Sequence, residues 1–419
     1  MLDPAEKPSP LPRETPLELS SGAGRSSNLP SLGQLTVSAV GLAFFSIGFI
    51  ILLLAALLSL GAGGDLSQST TLFAMAWTSA GAALLMLPSI VYAVLRLSGK
   101  PREGNPFKGI GRYLPLALVC FPVVLAAGTW LTAGEGVAML LASPLNLLAV
   151  GIPLWVLFEL STRGLTRGSP QRGWGVLSFG MTVVPVVTML VEVLVILLVA
   201  AAALFWAVKS DPANLLVLNR VQMRIAYAGM NSEVFQRLIQ TYLSQPFVFY
   251  TVLSIFSGFI PLVEESLKPM ALWFLINRRL SPVEGFTAGL ISGLAFSVIE
   301  STNAMAVSVN SSWALMAVGR LGAGLLHMTT AALMGWALAS TFKDGRYFRL
   351  VFSFLTALLL HGLWNGLTLL TAVAPQLPAG DFLKSIGQVA PEGLVLLMGV
   401  LLLILLGWNQ ILKRQSAAD

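Results

Sequence analysis

The stretch FSGFIPLVEESLKPMALWFL, Phe256–Leu275, decides the fold. It is apolar nearly throughout and about 20 residues long, the length that carries a helix across a bilayer core. Glu264, Glu265 and Lys268 nevertheless sit in its middle. Working outward, apolar runs of similar length recur at 35–61, 71–96, 113–131, 137–160, 175–208, 247–276, 285–308, 313–340, 348–372 and 387–411. The whole chain is 56% hydrophobic and only 11% charged, whereas soluble domains carry about 25% charged residues. The expected class is all-α: a polytopic transmembrane helix bundle of about ten spans.

Ten spans put both termini on one side. Under that threading, eighteen of the 25 Lys and Arg fall on the terminal side, five fall opposite, and Lys268 and Arg320 lie inside spans. Positive residues concentrate in cytoplasmic loops, so both termini are expected in the cytoplasm. The net charge of +6 is thereby a topology signal and not a nucleic-acid one. The bilayer is the expected partner, and no nucleic acid is. The single cysteine, Cys120, excludes an intrachain disulfide.

Residues 1–33 are rich in Pro, Ser and Gly without apolar periodicity and read as a disordered cytoplasmic tail. Residues 34–208 form an N-terminal five-span region of unassigned role. The stretch 209–246 holds LLVLNRVQMRIAYA and SEVFQRLIQTYL, both with helical apolar spacing. It reads as an outer linker of amphipathic helices on the membrane surface or as a small packed hairpin. Residues 412–419 form a second tail, which leaves 247–411 as the core.

Nearly all intramembrane polar groups lie in that core; Glu192 in the fifth span is an exception. Ionisable side chains inside a span cost about 2.5–3.5 kcal/mol each on insertion scales, so they are candidates for function. The only two histidines of the chain, His327 and His361, fall at the same depth as Glu264, Glu265, Glu300 and Asn365. In EESLK, Glu264 reaches Lys268 at i+4 and Glu265 reaches it less well at i+3. One lysine is not expected to satisfy both carboxylates, because they lie 100° apart around the helix. The reading is a buried ion pair with one glutamate left over, either protonated or serving as a general base. In HGLWNG, His361 and Asn365 share a face: the imidazole can shuttle a proton and the amide can donate to an oxyanion. Pro261 and Pro269 bracket EESLK and are expected to bend the span. Gly285, Gly289 and Gly293 form a small-residue stripe for tight helix contact, as do Gly362 and Gly366. Arg320 reads as a charge-balancing or snorkelling group. Zinc-helix, phosphate-loop and serine-elbow motifs are absent.

The ordered set EESLK, FSVIE, an arginine-plus-histidine helix and HGLWN resembles the PrsW family of intramembrane proteases, over roughly 247–410. That family belongs to a superfamily with the CAAX prenyl endopeptidases and with bacteriocin-processing and abortive-infection proteins. The resemblance implies a peptidase in a prokaryotic plasma membrane, cutting a membrane-anchored protein such as an anti-sigma factor. It implies catalytic roles for Glu264, Glu265, His327, His361 and Asn365. Lys268, Phe296, Glu300 and Arg320 stand as supporting residues. Two cofactor states follow: a metal-free site using glutamate-activated water, or a divalent metal such as zinc on His327, His361, Glu264 and Glu265. Where family members usually carry Asn after the second-motif glutamate, this chain has Ser301. A midplane-acid transporter or channel, and a non-catalytic scaffold or immunity-like protein, are the alternative classes.

Overall fold

The computed structural model describes residues 28–102, 109–134, 137–212, 214–228, 237, 241, 245–275, 280–307, 312–374 and 382–418. Most of the 1–33 tail, the SEVFQRLIQTYL segment except Arg237 and Thr241, and the Arg278–Arg279 pair lie outside the described residues. The elements are α1 (Leu29–Gly61), α2 (Leu66–Leu97), α3 (Leu114–Ala133), α4 (Val137–Thr162), α5 (Pro170–Ser210), α6 (Asn214–Ala228), α7 (Pro246–Ser254), α8 (Ile260–Leu267), α9 (Met270–Trp273), α10 (Pro282–Val307), α11 (Trp313–Asp344), α12 (Tyr347–Val373) and α13 (Phe382–Ala418). No strand occurs among the described residues. Among the described residues ten helical stretches are long and apolar enough to span a membrane, one for each span expected, with α7 to α9 together making the sixth.

The helices divide by what surrounds them. In their most apolar stretch α11 is 89% buried inside the protein and α10 is 72% buried, whereas α1 and α5 are 11% buried. α10 and α11 are thus the axis of the bundle, and the outer helices turn Leu, Ile and Val to lipid. One apolar cluster joins this axis to α3, α4, α12 and α13 through Leu154, Leu290, Leu326, Trp364 and Leu401. A second joins it to α2, α5 and α9 through Met86, Met181, Leu272 and Ala295. α2, α3, α4 and α5 therefore pack directly on the axis, and α1 joins it through α2 and α5. Buried serines stitch their far side: Ser38 Oγ on α1 lies 2.8 Å from Ser89 Oγ on α2 and 2.9 Å from Ser178 Oγ on α5. In α6, Leu215, Leu216 and Met223 are exposed and do not pack on the bundle.

The α10–α11 pair is close because glycines remove side chains between the two backbones. A methyl group on Gly289 would strike the carbonyl of Ala331, and one on Gly293 would strike the carbonyl of His327, with the His327 carbonyl carbon at 2.8 Å. These obstacles are backbone and cannot swing away. Gly→Ala inside a helix ordinarily stabilises by about 1 kcal/mol. At Gly293 overpacking outweighs that, and Gly293→Ala is expected to destabilise the protein by about 1–3 kcal/mol. Thermal melting in detergent checks the sign; an unchanged or raised Tm contradicts the packing.

Candidate active site

Two breaks in the sixth span build one wall of the site. From Ile255 to Phe259 the helix widens into a π-turn, in which the Ile260 N–H bonds the carbonyl of Ile255. The carbonyl of Phe256 then has no donor at its usual position, and the next residue in line is Pro261, which has no N–H. Asn365 on α12 supplies the missing donor, its Nδ2 lying 3.0 Å from the Phe256 carbonyl. Gly362 and Gly366 let α12 approach: a side chain at either would meet Ser257 in the π-turn. The second break follows Leu267, where Pro269 ends the helix. The Leu272 N–H turns to Pro269 O at 2.8 Å, and the stranded Lys268 carbonyl is taken by Ser292 Oγ at 2.5 Å. Both prolines, where a bend was expected, sit at breaks in the helical hydrogen bonding.

Between the breaks, Lys268 and Glu265 are fully buried, Glu264 is 7% exposed, and both histidines are 2% exposed. Lys268 contacts both carboxylates, contrary to the expectation from helix geometry: Nζ lies 2.9 Å from Glu264 Oε2 and 2.7 Å from Glu265 Oε1. The ammonium carries three donors on a long flexible stem, so it folds back over the last turn and bridges the two positions. It also reaches His327 Nδ1 at 2.7 Å and lies over the Phe296 ring, 4.8 Å from its centroid.

Proton positions follow from what each group can do. An ammonium only donates, so His327 Nδ1 accepts, and His327 Nε2–H donates to Glu300 Oε2 at 2.6 Å. Glu300 in turn pairs with Arg320 at 2.9 Å. Arg320 Nε donates to Ser301 Oγ at 3.1 Å, so Ser301 steadies the arginine. Glu265 beside the ammonium is an ionised acceptor, so His361 Nδ1–H donates to it at 2.7 Å. His361 Nε2 is left as an acceptor and faces Glu264 Oε2 at 3.7 Å. That oxygen touches Lys268 off the hydrogen-bonding direction and is buried with no hydrogen-bond partner. Two acceptors thus face each other with no donor between them.

They do so at a cleft of about 550 Å³. Glu264, Glu300, His361 and Asn365 line one side of it, with Phe296 beside them, and Pro185, Thr188, Met189 and Glu192 of α5 line the other. Every candidate residue except Arg320, Lys268, Glu265 and His327 reaches this cleft, and those four lie directly behind it. Sequence reasoning had set Glu192 apart from the core and did not single out Thr188 or Ser292. An acid inside an apolar span was the available signal for Glu192; nothing marked the other two.

The cluster can be tested as a metal centre. Glu264, His327 and His361 each offer a ligand atom, all within 4.8 Å of one another. His361 fits, because its second nitrogen is held by a carboxylate as in most metal-bound histidines. Glu264 fits through its unpartnered oxygen. His327 does not fit: its Nδ1 takes an ammonium proton and its Nε2 faces Glu300. An ion shared by Glu264 and His327 would sit against Lys268, a like charge, and catalytic zinc ordinarily has three protein ligands. As arranged, the residues do not make a three-ligand metal site.

Residues 174–404 match the family model described as PrsW family intramembrane metalloprotease. No curated protein and no solved structure gives a significant match. The matched region takes in α5 as well as α7 to α12 and most of α13, and so both walls of the cleft. It spans more than half of the sequence, and the chain belongs to the PrsW family of intramembrane proteases.

Proposed function

We propose that the chain hydrolyses a peptide bond of a membrane-anchored protein with water activated by Glu264. The supporting observation is that Glu264 Oε2, buried without a hydrogen bond, lies 3.7 Å from His361 Nε2 beside the cleft. A water donating one hydrogen to each would be held and polarised there. Glu264 takes the proton, and the water oxygen attacks the carbonyl carbon of the scissile bond. The carbonyl oxygen becomes an oxyanion, to which Asn365 gives the N–H not spent on Phe256. Collapse breaks the C–N bond, and Glu264 hands its proton to the departing amine. Glu265 and Lys268 hold His361 and Glu264 in place, while Glu300 and Arg320 hold His327. No step uses a metal, in keeping with the ammonium beside His327. The distribution of Lys and Arg supports cytoplasmic termini.

The test uses the purified full chain in lipid nanodiscs with a pool of single-span membrane proteins. New peptide N-termini inside the spans are mapped with and without a strong zinc chelator. Cleavage within spans that survives the chelator is expected. Loss of cleavage that zinc restores would overturn the metal-free mechanism and keep the peptidase. Proton flux with no new N-termini would overturn the peptidase and favour a transporter.

A further inference from the structure

The wall of the cleft opposite Glu264 has no partner for its own polar atoms. Thr188 Oγ1 and Glu192 Oε1 are both buried without a hydrogen bond, and both residues line the cleft. Thr188 is only 3% exposed, so its isolation is not a surface effect. Threonines in these helices commonly turn back to the carbonyl four residues earlier: Thr182 does so at 2.8 Å on the same helix, and Thr368 does so at 2.8 Å across the cleft. Thr188 does not. Its hydroxyl and the Glu192 carboxylate stand at i and i+4, on one face of α5. Among the described residues α5 packs on α1, α2, α8, α9 and α10 but not along α12, so the two helices stand apart across the cleft.

A membrane span must be unwound locally before its peptide bond can be attacked. Unwinding frees N–H and C=O groups that lipid cannot satisfy. An extended segment repeats its same-edge amides about every 6.6 Å, and i to i+4 on a helix rises about 6 Å. The Thr188–Glu192 spacing therefore puts both side chains within reach of neighbouring N–H and C=O groups on one edge of an extended chain. We propose that Thr188 and Glu192 form the substrate-binding wall of the site, holding the main chain of an unwound membrane segment against Glu264 and His361. Glu192 accepts an N–H and Thr188 donates to a carbonyl. This rests on the peptidase reading of the opposite wall.

The test is cross-linking, which needs no cleavage. Benzoylphenylalanine replaces Met189, on the same wall, in the full-length Glu264→Gln chain in nanodiscs. The probe is a leucine–alanine span of about 23 residues unwound at its centre by Gly-Pro-Gly-Ser. It is expected to cross-link, and its unbroken helical version much less. Thr188→Ala with Glu192→Ala is expected to lower the yield about tenfold, the scale set by ordinary hydrogen bonds. Glu192→Gln, whose amide oxygen still accepts, retains most of it. No cross-link in the chain with Thr188 and Glu192 intact, or an unchanged yield in the double variant, overturns the proposal. A chain with Glu264 intact that binds this probe yet cuts nothing overturns the peptidase and leaves the wall a peptide-binding surface. A chain with cleavage at unchanged KM in the double variant overturns the wall and leaves the peptidase.

Discussion

Glu264→Gln is expected to lower kcat by about a thousandfold, within the range that general-base catalysis contributes, while the protein stays folded. The substitution keeps the shape of the side chain and removes the atom that takes the proton. Lys268 still has Glu265 Oε1 at 2.7 Å and His327 Nδ1 at 2.7 Å, so the buried ammonium remains compensated. Glu265→Gln is a contrasting case. Glu265 Oε1 serves both Lys268 and His361, so its loss frees the imidazole from its orientation and weakens folding as well as turnover. The readout is the rate of appearance of the mapped N-termini, with Tm measured in the same detergent. A Glu264→Gln chain that cuts at the wild-type rate sinks the assignment of the base.

Lys268→Met is expected to be the most destabilising single change in the site, at about 3–5 kcal/mol, because it leaves buried charge uncompensated. Glu264 and Glu265 would face each other with no cation between them, and His327 Nδ1 would lose its donor. The methionine nearly fills the same volume, so a cavity does not explain the loss. The double-mutant logic isolates the charge: in a Glu264→Gln, Glu265→Gln background, Lys268→Met is expected to cost far less. Thermal unfolding of the four chains decides it. An equal cost in both backgrounds would mean that Lys268 acts by packing, against the ion-pair geometry at 2.7 and 2.9 Å.

Much of this was legible in the residues alone. The ten spans follow from apolar run length, since in hydrocarbon the backbone must satisfy itself and a helix is the only way for one segment to do so. The candidate residues were legible for a related reason: charge in lipid is costly, so EESLK, Glu300, His327 and HGLWN stand out against their surroundings. The glycine stripe at 285, 289 and 293 likewise announced a close helix contact, and its partner proved to be the α11 backbone at Gly335, Ala331 and His327. Local geometry failed at Lys268, where helical angles alone argued against one lysine serving two carboxylates. The side chain has reach and three donors, enough for both carboxylates and His327 Nδ1.

The sequence by itself determined the class, the number of spans and which side chains are candidates for chemistry, because each of those rests on the cost of placing a given atom in lipid. Only the tertiary structure decided which glutamate lines the cleft and which is buried behind it. That depends on His361 arriving from α12 to occupy Glu265 and on Lys268 turning to His327 on α11. It also decided that Glu192 and Thr188 of α5 close the other side of the cleft. Neither arrangement leaves a periodic trace along the chain, because contacts between helices distant in sequence are set by how their surfaces interlock.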